Sequence, residues 1–153
     1  FAMRSKRPPL DRANAMLSFL YTIFTREYAA ALESVGLDSY MGFYHSLRPG
    51  RESLACDLVE EGRCIVERFV LTLINLKIIK PEDFDVQVSG AVFLNDDGRK
   101  KVLSKWQEKK RTDMIHPYLK EKIPMGLLPY VQSMLLAKFV RGEIDEYPCY
   151  LAR

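Results

Sequence analysis

At 153 residues, 48% hydrophobic and 28% charged, the chain is long enough for one domain with a sizeable core and has the balance of a folded soluble protein. No apolar run is long enough to span a bilayer and no secretory signal opens the chain, so no membrane association and a cytoplasmic location are expected. The net charge of +3 and pI of 8.7 are compatible with nucleic acid without requiring it, and Cys56, Cys64 and Cys149, odd in number and without CxxC spacing, support neither a disulfide framework nor a zinc site.

The first residue is Phe rather than Met, the expectation for a fragment or a processed chain. Arg4, Lys6, Arg7 and Arg12 form a basic lead in which Pro8 and Pro9 favour extended backbone. Asp11 is placed to cap the helix that follows. Ala13, Leu17, Leu20, Phe24, Tyr28, Ala31 and Val35 recur at steps of three and four, which predicts a long helix with one apolar stripe, stopped by Gly36. Asn14, Ser18 and Tyr21 share another face, from which they could brace a neighbouring element or an active site.

Leu37 to Tyr44 is an aromatic-rich connection, with Gly42 allowing a bend before Phe43, Tyr44 and His45. Burial of Phe43 and Tyr44 would anchor the backbone of His45. Arg48 and Arg51 lie in the loop that follows, around the turn residues Pro49 and Gly50. A second helix is predicted from about Ser53 to Leu76, with Leu54, Leu58, Ile65, Phe69, Leu73 and Leu76 on one face. Cys56 and Cys64 read as small residues packed on it. Gly62 within it has two readings: close approach of a helix or a DNA backbone, or a tolerated surface glycine.

Pro81 ends the apolar run through Ile78 and Ile79. Val86 and Val88, then Val92 to Leu94, bracket Ser89 and Gly90 and predict a short β hairpin, with Asn95 to Gly98 as a turn after it. The segment from Arg99 to Arg111 predicts a helix with a strongly basic face, either solvated or in contact with phosphates. Trp106 is expected in the core rather than stacked on a base. His116 precedes Pro117 with no acids nearby and is read as structural. Leu127 to Arg141 predicts a last amphipathic helix, and Gly142 to Arg153 is an acidic, then aromatic, tail.

The chemistry concentrates between Gly42 and Arg63. Asp57 and Glu60, three residues apart, fall on one helical face, with Glu61 at the i+4 position from Asp57. Three anions so close repel one another. The start of the helix and Arg63 offset part of that cost, and a divalent cation would offset more, since carboxylate oxygens with one neutral imidazole suit Mg2+ or Mn2+. His45 would have to fold back onto the helix from a separate element. The competing reading is ordinary helix chemistry, with acids enriched in a first turn and a lone histidine serving packing.

GFYH, a short basic loop and SLACDLVEEGR together resemble the central signature of the CRISPR-associated integrases, the Cas-one family. RSKRPPLDRANAMLSFLYT, Asn75, FDVQVSGAVFLNDDGRKK, IHPYLKEKIPMGLLPYVQSMLLA and RGEIDEYPCYLAR match in the same order, so the resemblance covers effectively the whole chain. It implies a mainly α, multi-helix catalytic domain with a small β hairpin, residues 1–153 forming a single such domain that lacks an amino-terminal β-rich domain. The activity implied is a metal-dependent DNA endonuclease and integrase that inserts new spacers into CRISPR arrays.

By the same resemblance the metal ligands are His45, Glu60 and a glutamate upstream of the position of Arg4, which has no counterpart in this chain. Asp57 matches a further acid one turn before Glu60, where many members carry aspartate in place of Glu60. The implied cofactor is Mg2+ or Mn2+. Implied partners are spacer-precursor DNA and the CRISPR array, a second copy in a homodimer of the intact protein, and a small second CRISPR adaptation protein. Arg48, Arg51, Arg4 and Arg7 are the candidates for DNA phosphate contact. The alternative for the chain as it stands is a noncatalytic DNA-binding or scaffold module.

Overall fold

A computed structural model describes residues 11–38 and 53–150. Their element order is α1 (Arg12–Ser34), α2 (Ser53–Glu61), α3 (Arg63–Asn75), β1 (Phe84–Val86), β2 (Val92–Leu94), α4 (Asp96–Lys110), β3 (Asp113–Ile115), β4 (Lys122–Pro124) and α5 (Leu128–Val140). The mainly α class holds, with a second antiparallel strand pair added to the expected hairpin. The chain divides into two compact units, residues 1–22 with 65–108 and residues 23–64 with 109–153.

α1 begins as its sequence dictates. The Asp11 carboxylate accepts the Asn14 backbone N–H at 2.8 Å, satisfying one of the donors a helix start leaves open. It ends in a Schellman closure, in which the Leu37 N–H donates to Leu32 O and the Gly36 N–H to Glu33 O, with Gly36 at φ +85°. The predicted stripe is buried at Ala13, Leu17, Leu20, Phe24 and Tyr28.

In the first unit, α3 and α4 bury Val66, Phe69, Val70, Leu73, Val102 and Trp106. Trp106 is fully buried and meets Phe69 edge-on at 5.2 Å, which places it in the core. β1 and β2 pair antiparallel with Phe84 opposite Leu94 and Val86 opposite Val92, the first strand lying two residues earlier than predicted, and Val88 falls in the exposed connection. Asn95 to Gly98 is not a turn but the start of α4. The Asn95 side chain accepts the Gly98 N–H at 2.9 Å, and Asp96 and Asp97 occupy the acid-favouring first turn. Gly98 is required there, because a Cβ would collide with the Asp83 carbonyl oxygen.

In the second unit, β3 and β4 pair with Met114 opposite Ile123. Three-residue strands with mostly exposed side chains carry too little alternation to be read from sequence. Ile123 packs with Val131 and Leu135 of α5, flanked by Met114, Leu119 and Tyr147. α5 spans nearly the predicted range, with Pro129 in its first turn, where a proline costs no hydrogen bond.

The predicted helix from Ser53 to Leu76 is interrupted. α2 stops at Glu61 and α3 begins at Arg63, with Gly62 between them donating its N–H to Val59 O at 2.9 Å. Position 62 has no room for a side chain because α1 comes close: a Cβ at Gly62 would stand 2.8 Å from Cε2 of Phe24, which is buried. Of the two readings of Gly62, close helix approach is the one realised. Cys64, expected to pack on the helix, is exposed instead, because at about 100° per residue it stands opposite the buried arc of Val66, Phe69, Val70 and Leu73.

Candidate metal and nucleic-acid site

α2 is a nine-residue helix whose buried arc is Leu54, Ala55, Leu58 and Val59. The three carboxylates it carries have three different environments. Asp57 is buried, with 1% of its surface exposed. The Glu60 side chain is 53% exposed and lies 3.6 Å from the Arg63 guanidinium, itself half-exposed. Glu61 is partly buried and turned into a hydrogen-bond network. The cluster of three like charges expected from spacing is therefore dispersed, although Asp57 and Glu60 keep their one-turn separation.

Around Glu61 the network is dense. Its carboxylate accepts the Tyr147 hydroxyl at 2.8 Å, the Tyr150 backbone N–H at 2.8 Å and the Gln132 amide at 3.3 Å. Gln132, fully buried on α5, also donates to the Tyr147 hydroxyl oxygen at 2.8 Å and to Pro148 O at 3.2 Å. Its own carbonyl lies 2.6 Å from Nε2 of buried His116. Nδ1 of His116 accepts the backbone N–H groups of Tyr118 and Leu119, so Nε2 carries the proton that Gln132 accepts. This is the structural role expected of His116.

The electrostatics follow from burial. Desolvation pushes the Glu61 carboxyl above its usual range, against the opposing hydrogen bonds from the Tyr150 N–H, the Tyr147 hydroxyl and the Gln132 amide. The Tyr147 hydroxyl is driven far up by burial and then by the neighbouring Glu61 charge. Tyr28 is raised as well, first by complete burial and then by Glu61, and its hydroxyl has no hydrogen-bond partner among the described residues.

His45, Arg48, Arg51, Arg4 and Arg7 lie outside the described residues. Among the described residues no group of three His, Cys, Asp or Glu side chains is arranged to hold a metal. Glu60 does supply what a hard divalent cation takes, an accessible carboxylate oxygen on a short rigid helix, and Asp57 adds a second oxygen donor one turn earlier. On and after α4, Arg99 pairs with Asp96, Lys101 with Asp83, Lys105 with Glu108 and Lys110 with Glu27. Lys100, Lys109 and Arg111 are exposed, with no acidic partner among the described residues. Much of that basic face is thus engaged in ion pairs.

The sequence reading missed the Glu61 network. Its one sequence signal is Gln132, which with Ser133 interrupts the largely apolar run LPYVQSMLLA.

Residues 1–108 match the family model described as CRISPR associated protein Cas1. A relative named CRISPR-associated endonuclease Cas1 2, from Rhodospirillum rubrum, is 52% identical over 149 residues, covering 97% of this chain and 43% of its own length. The chain spans about half the length of the curated relatives it matches. Among solved structures, a casposase bound to integration product superposes with a TM-score of 0.86 at 25% identity, over 96% of this chain and 42% of the casposase chain. A partial Cas6-RT-Cas1–Cas2 complex gives a TM-score of 0.78 at 25% identity, over 99% of this chain and 45% of that one. With its family model matched over more than half its length and its fold shared, the chain belongs to the CRISPR associated protein Cas1 family.

Proposed function

We propose that this chain is the helical, metal-holding part of a DNA endonuclease and integrase that inserts new spacers into CRISPR arrays by phosphoryl transfer. The observation that carries the reading is Glu60: in a member of this family, an accessible carboxylate stands on the last turn of a helix whose neighbouring acids, Asp57 and Glu61, are both drawn into the protein. Glu60 and His45 are the ligands within this chain, Asp57 supplies a further buried carboxylate, and the remaining glutamate lies upstream of the position of Arg4. Glu60 and His45 would hold Mg2+ or Mn2+, and the chemistry such an ion would supply is polarisation of the scissile phosphate and stabilisation of the charge developing on it.

The chain's own residues orient that chemistry. Glu60 offers its oxygen from a fixed helix end, and Arg48, Arg51, Arg4 and Arg7 neutralise DNA phosphates and set the strand's path, making binding salt dependent. The attacking group is a 3′-hydroxyl of incoming spacer DNA in integration and water in cleavage, with no covalent protein intermediate. The names of the endonuclease relatives and of the casposase bound to integration product support this reading. The likeness to a Cas1–Cas2 complex supports a small second adaptation protein as partner, and the intact protein is proposed to work as a homodimer in the cytoplasm.

A second reading rests on the ligand set that the family resemblance implies, whose glutamate upstream of Arg4 has no counterpart in this chain. The 153 residues by themselves would then be a DNA-binding or scaffold module without catalysis. Manganese-dependent cleavage of branched DNA separates the two, comparing the full-length protein, this segment, and full-length His45→Ala and Glu60→Ala. The expected result is cleavage by the parent, loss in both variants and weak activity of the segment. Both variants cutting like the parent would overturn the site assignment and leave the scaffold reading.

A further inference from the structure

We propose that Glu61 is a positioning residue for the Glu60 carboxylate, and that the segment Tyr147–Tyr150 is part of the device that holds it. The proposal rests on the metal reading of Glu60 above and extends it to residues that touch neither metal nor DNA. Glu60 and Glu61 are adjacent, so whatever fixes the Glu61 side chain fixes the peptide that carries Glu60. Three donors do so: the Tyr147 hydroxyl, the Tyr150 N–H and the Gln132 amide. They come from α5 and from the tail after it, and Gln132 is tied in turn to His116 in the β3–β4 connection. Two segments distant in sequence, α5 and the tail, thus converge on the last residue of α2, and a third, the β3–β4 connection, backs them through Gln132.

That residue sits where the helix is most in need of support. α2 has only nine residues, and after Glu61 its hydrogen bonding tightens, the Gly62 N–H donating to Val59 O, before α3 begins at Arg63. A helix of that length has little stability of its own. On the far side of Glu61, Gly62 packs against Phe24, which leaves no room for a side chain. Within the last turn, Leu58 and Val59 are buried while Glu60 points outward. The clasp on Glu61 and the packing at Gly62 therefore hold the helix end from both sides and present Glu60 in one orientation. Groups that orient a metal ligand from behind typically matter about 10- to 100-fold in metal affinity.

A mere tail anchor would use the same hydrogen bonds without affecting Glu60, and the experiment separates the two. Mn2+ binding to the full-length protein is titrated by electron paramagnetic resonance of the free ion, without DNA or turnover, and thermal unfolding is followed without metal. The variants are Tyr147→Phe, which removes one hydroxyl and keeps the ring, Glu61→Ala, Glu61→Gln and Glu60→Ala. The expected result is loss of tight Mn2+ binding in Glu60→Ala and weakening of about 10- to 100-fold in Tyr147→Phe and Glu61→Ala, with part of the affinity restored in Glu61→Gln. If Glu60→Ala abolishes binding while Tyr147→Phe and Glu61→Ala bind Mn2+ like the parent, whatever their melting temperatures, the positioning role is overturned and the metal reading survives. If Glu60→Ala itself binds Mn2+ like the parent, the metal reading fails and takes this proposal with it.

Discussion

Replacing Gly62 by alanine sets two opposing effects against each other at the junction behind Glu60. In an open helical position alanine would gain about 1 kcal/mol over glycine. Here the new Cβ would stand 2.8 Å from Cε2 and 3.2 Å from Cζ of Phe24. The ring has little room to retreat, since Phe24 is 1% exposed and packs edge-on against fully buried Tyr28 at 5.0 Å. Overpacking of this kind costs about 1–3 kcal/mol, so a net loss of up to about 2 kcal/mol is expected. Shortening the ring with Phe24→Leu opens the space that the methyl needs. Urea unfolding of the parent, both single variants and the double variant measures the coupling, expected at about 1–2 kcal/mol in favour of the double variant. Single-variant effects that add within about 0.5 kcal/mol, or a Gly62→Ala protein more stable than the parent, would refute the close-approach argument.

Two further predictions concern the first unit. Asp83 is almost completely buried; burial raises its carboxyl, but the Lys80 backbone N–H and the Lys101 ammonium, 2.9 Å from Oδ2, outweigh burial and hold it below its usual range. A depressed folded-state value means the stabilisation is fully present above the unfolded value of about 3.9 and is lost as pH falls through the lower folded value. Lys101→Met should therefore destabilise by about 1–2 kcal/mol at pH 7, a surface-exposed lysine on a buried acid standing between the two extremes for ion pairs. The difference from the parent should shrink below about pH 4 in acid-unfolding curves, and a gap that is independent of pH would count against the pairing. Lys77 closes α3 in the left-handed region at φ 56°, in the position Gly36 takes after α1, with the Ile78 N–H donating to Leu73 O. Lys77→Gly should raise stability by about 1 kcal/mol, read as an increase of about 2–4 °C in melting temperature, and a decrease would show that the lysine side chain outweighs its backbone strain.

What could be read in the sequence is what depends on neighbours along the chain. α1 was legible because its cap, its stripe and its closing glycine lie within one continuous segment, and the structure places each of them. Trp106 was legible as core because it recurs on the same helical face as buried Val102. The turn expected at Asn95 to Gly98 failed for a local reason too: the same residues that favour turns also favour helix starts, and here the Asn95 side chain caps α4. The need for glycine at position 62 could not be decided from sequence, since the atoms that crowd it belong to Phe24, a residue on another helix.

The acids of α2 divide along the same line. At about 100° per residue, Glu60 stands roughly opposite the arc of Leu54, Ala55, Leu58 and Val59, so its outward face follows from the sequence alone. The same geometry sets Glu61 closer to that arc than Asp57, yet Asp57 is the more deeply buried of the two. That inversion is set by what packs on each side. Glu61 is covered by the tail, which brings it a hydroxyl and a backbone N–H from 86 and 89 residues away, the donors that a partly buried carboxylate needs. The crowding of three anions, from which the sequence argument for a cation began, is thereby relieved within the protein: one acid is buried and one is clasped. Glu60 is the one carboxylate of α2 left accessible to a cation, at the end of a helix whose last residue, Glu61, is hydrogen-bonded by the tail.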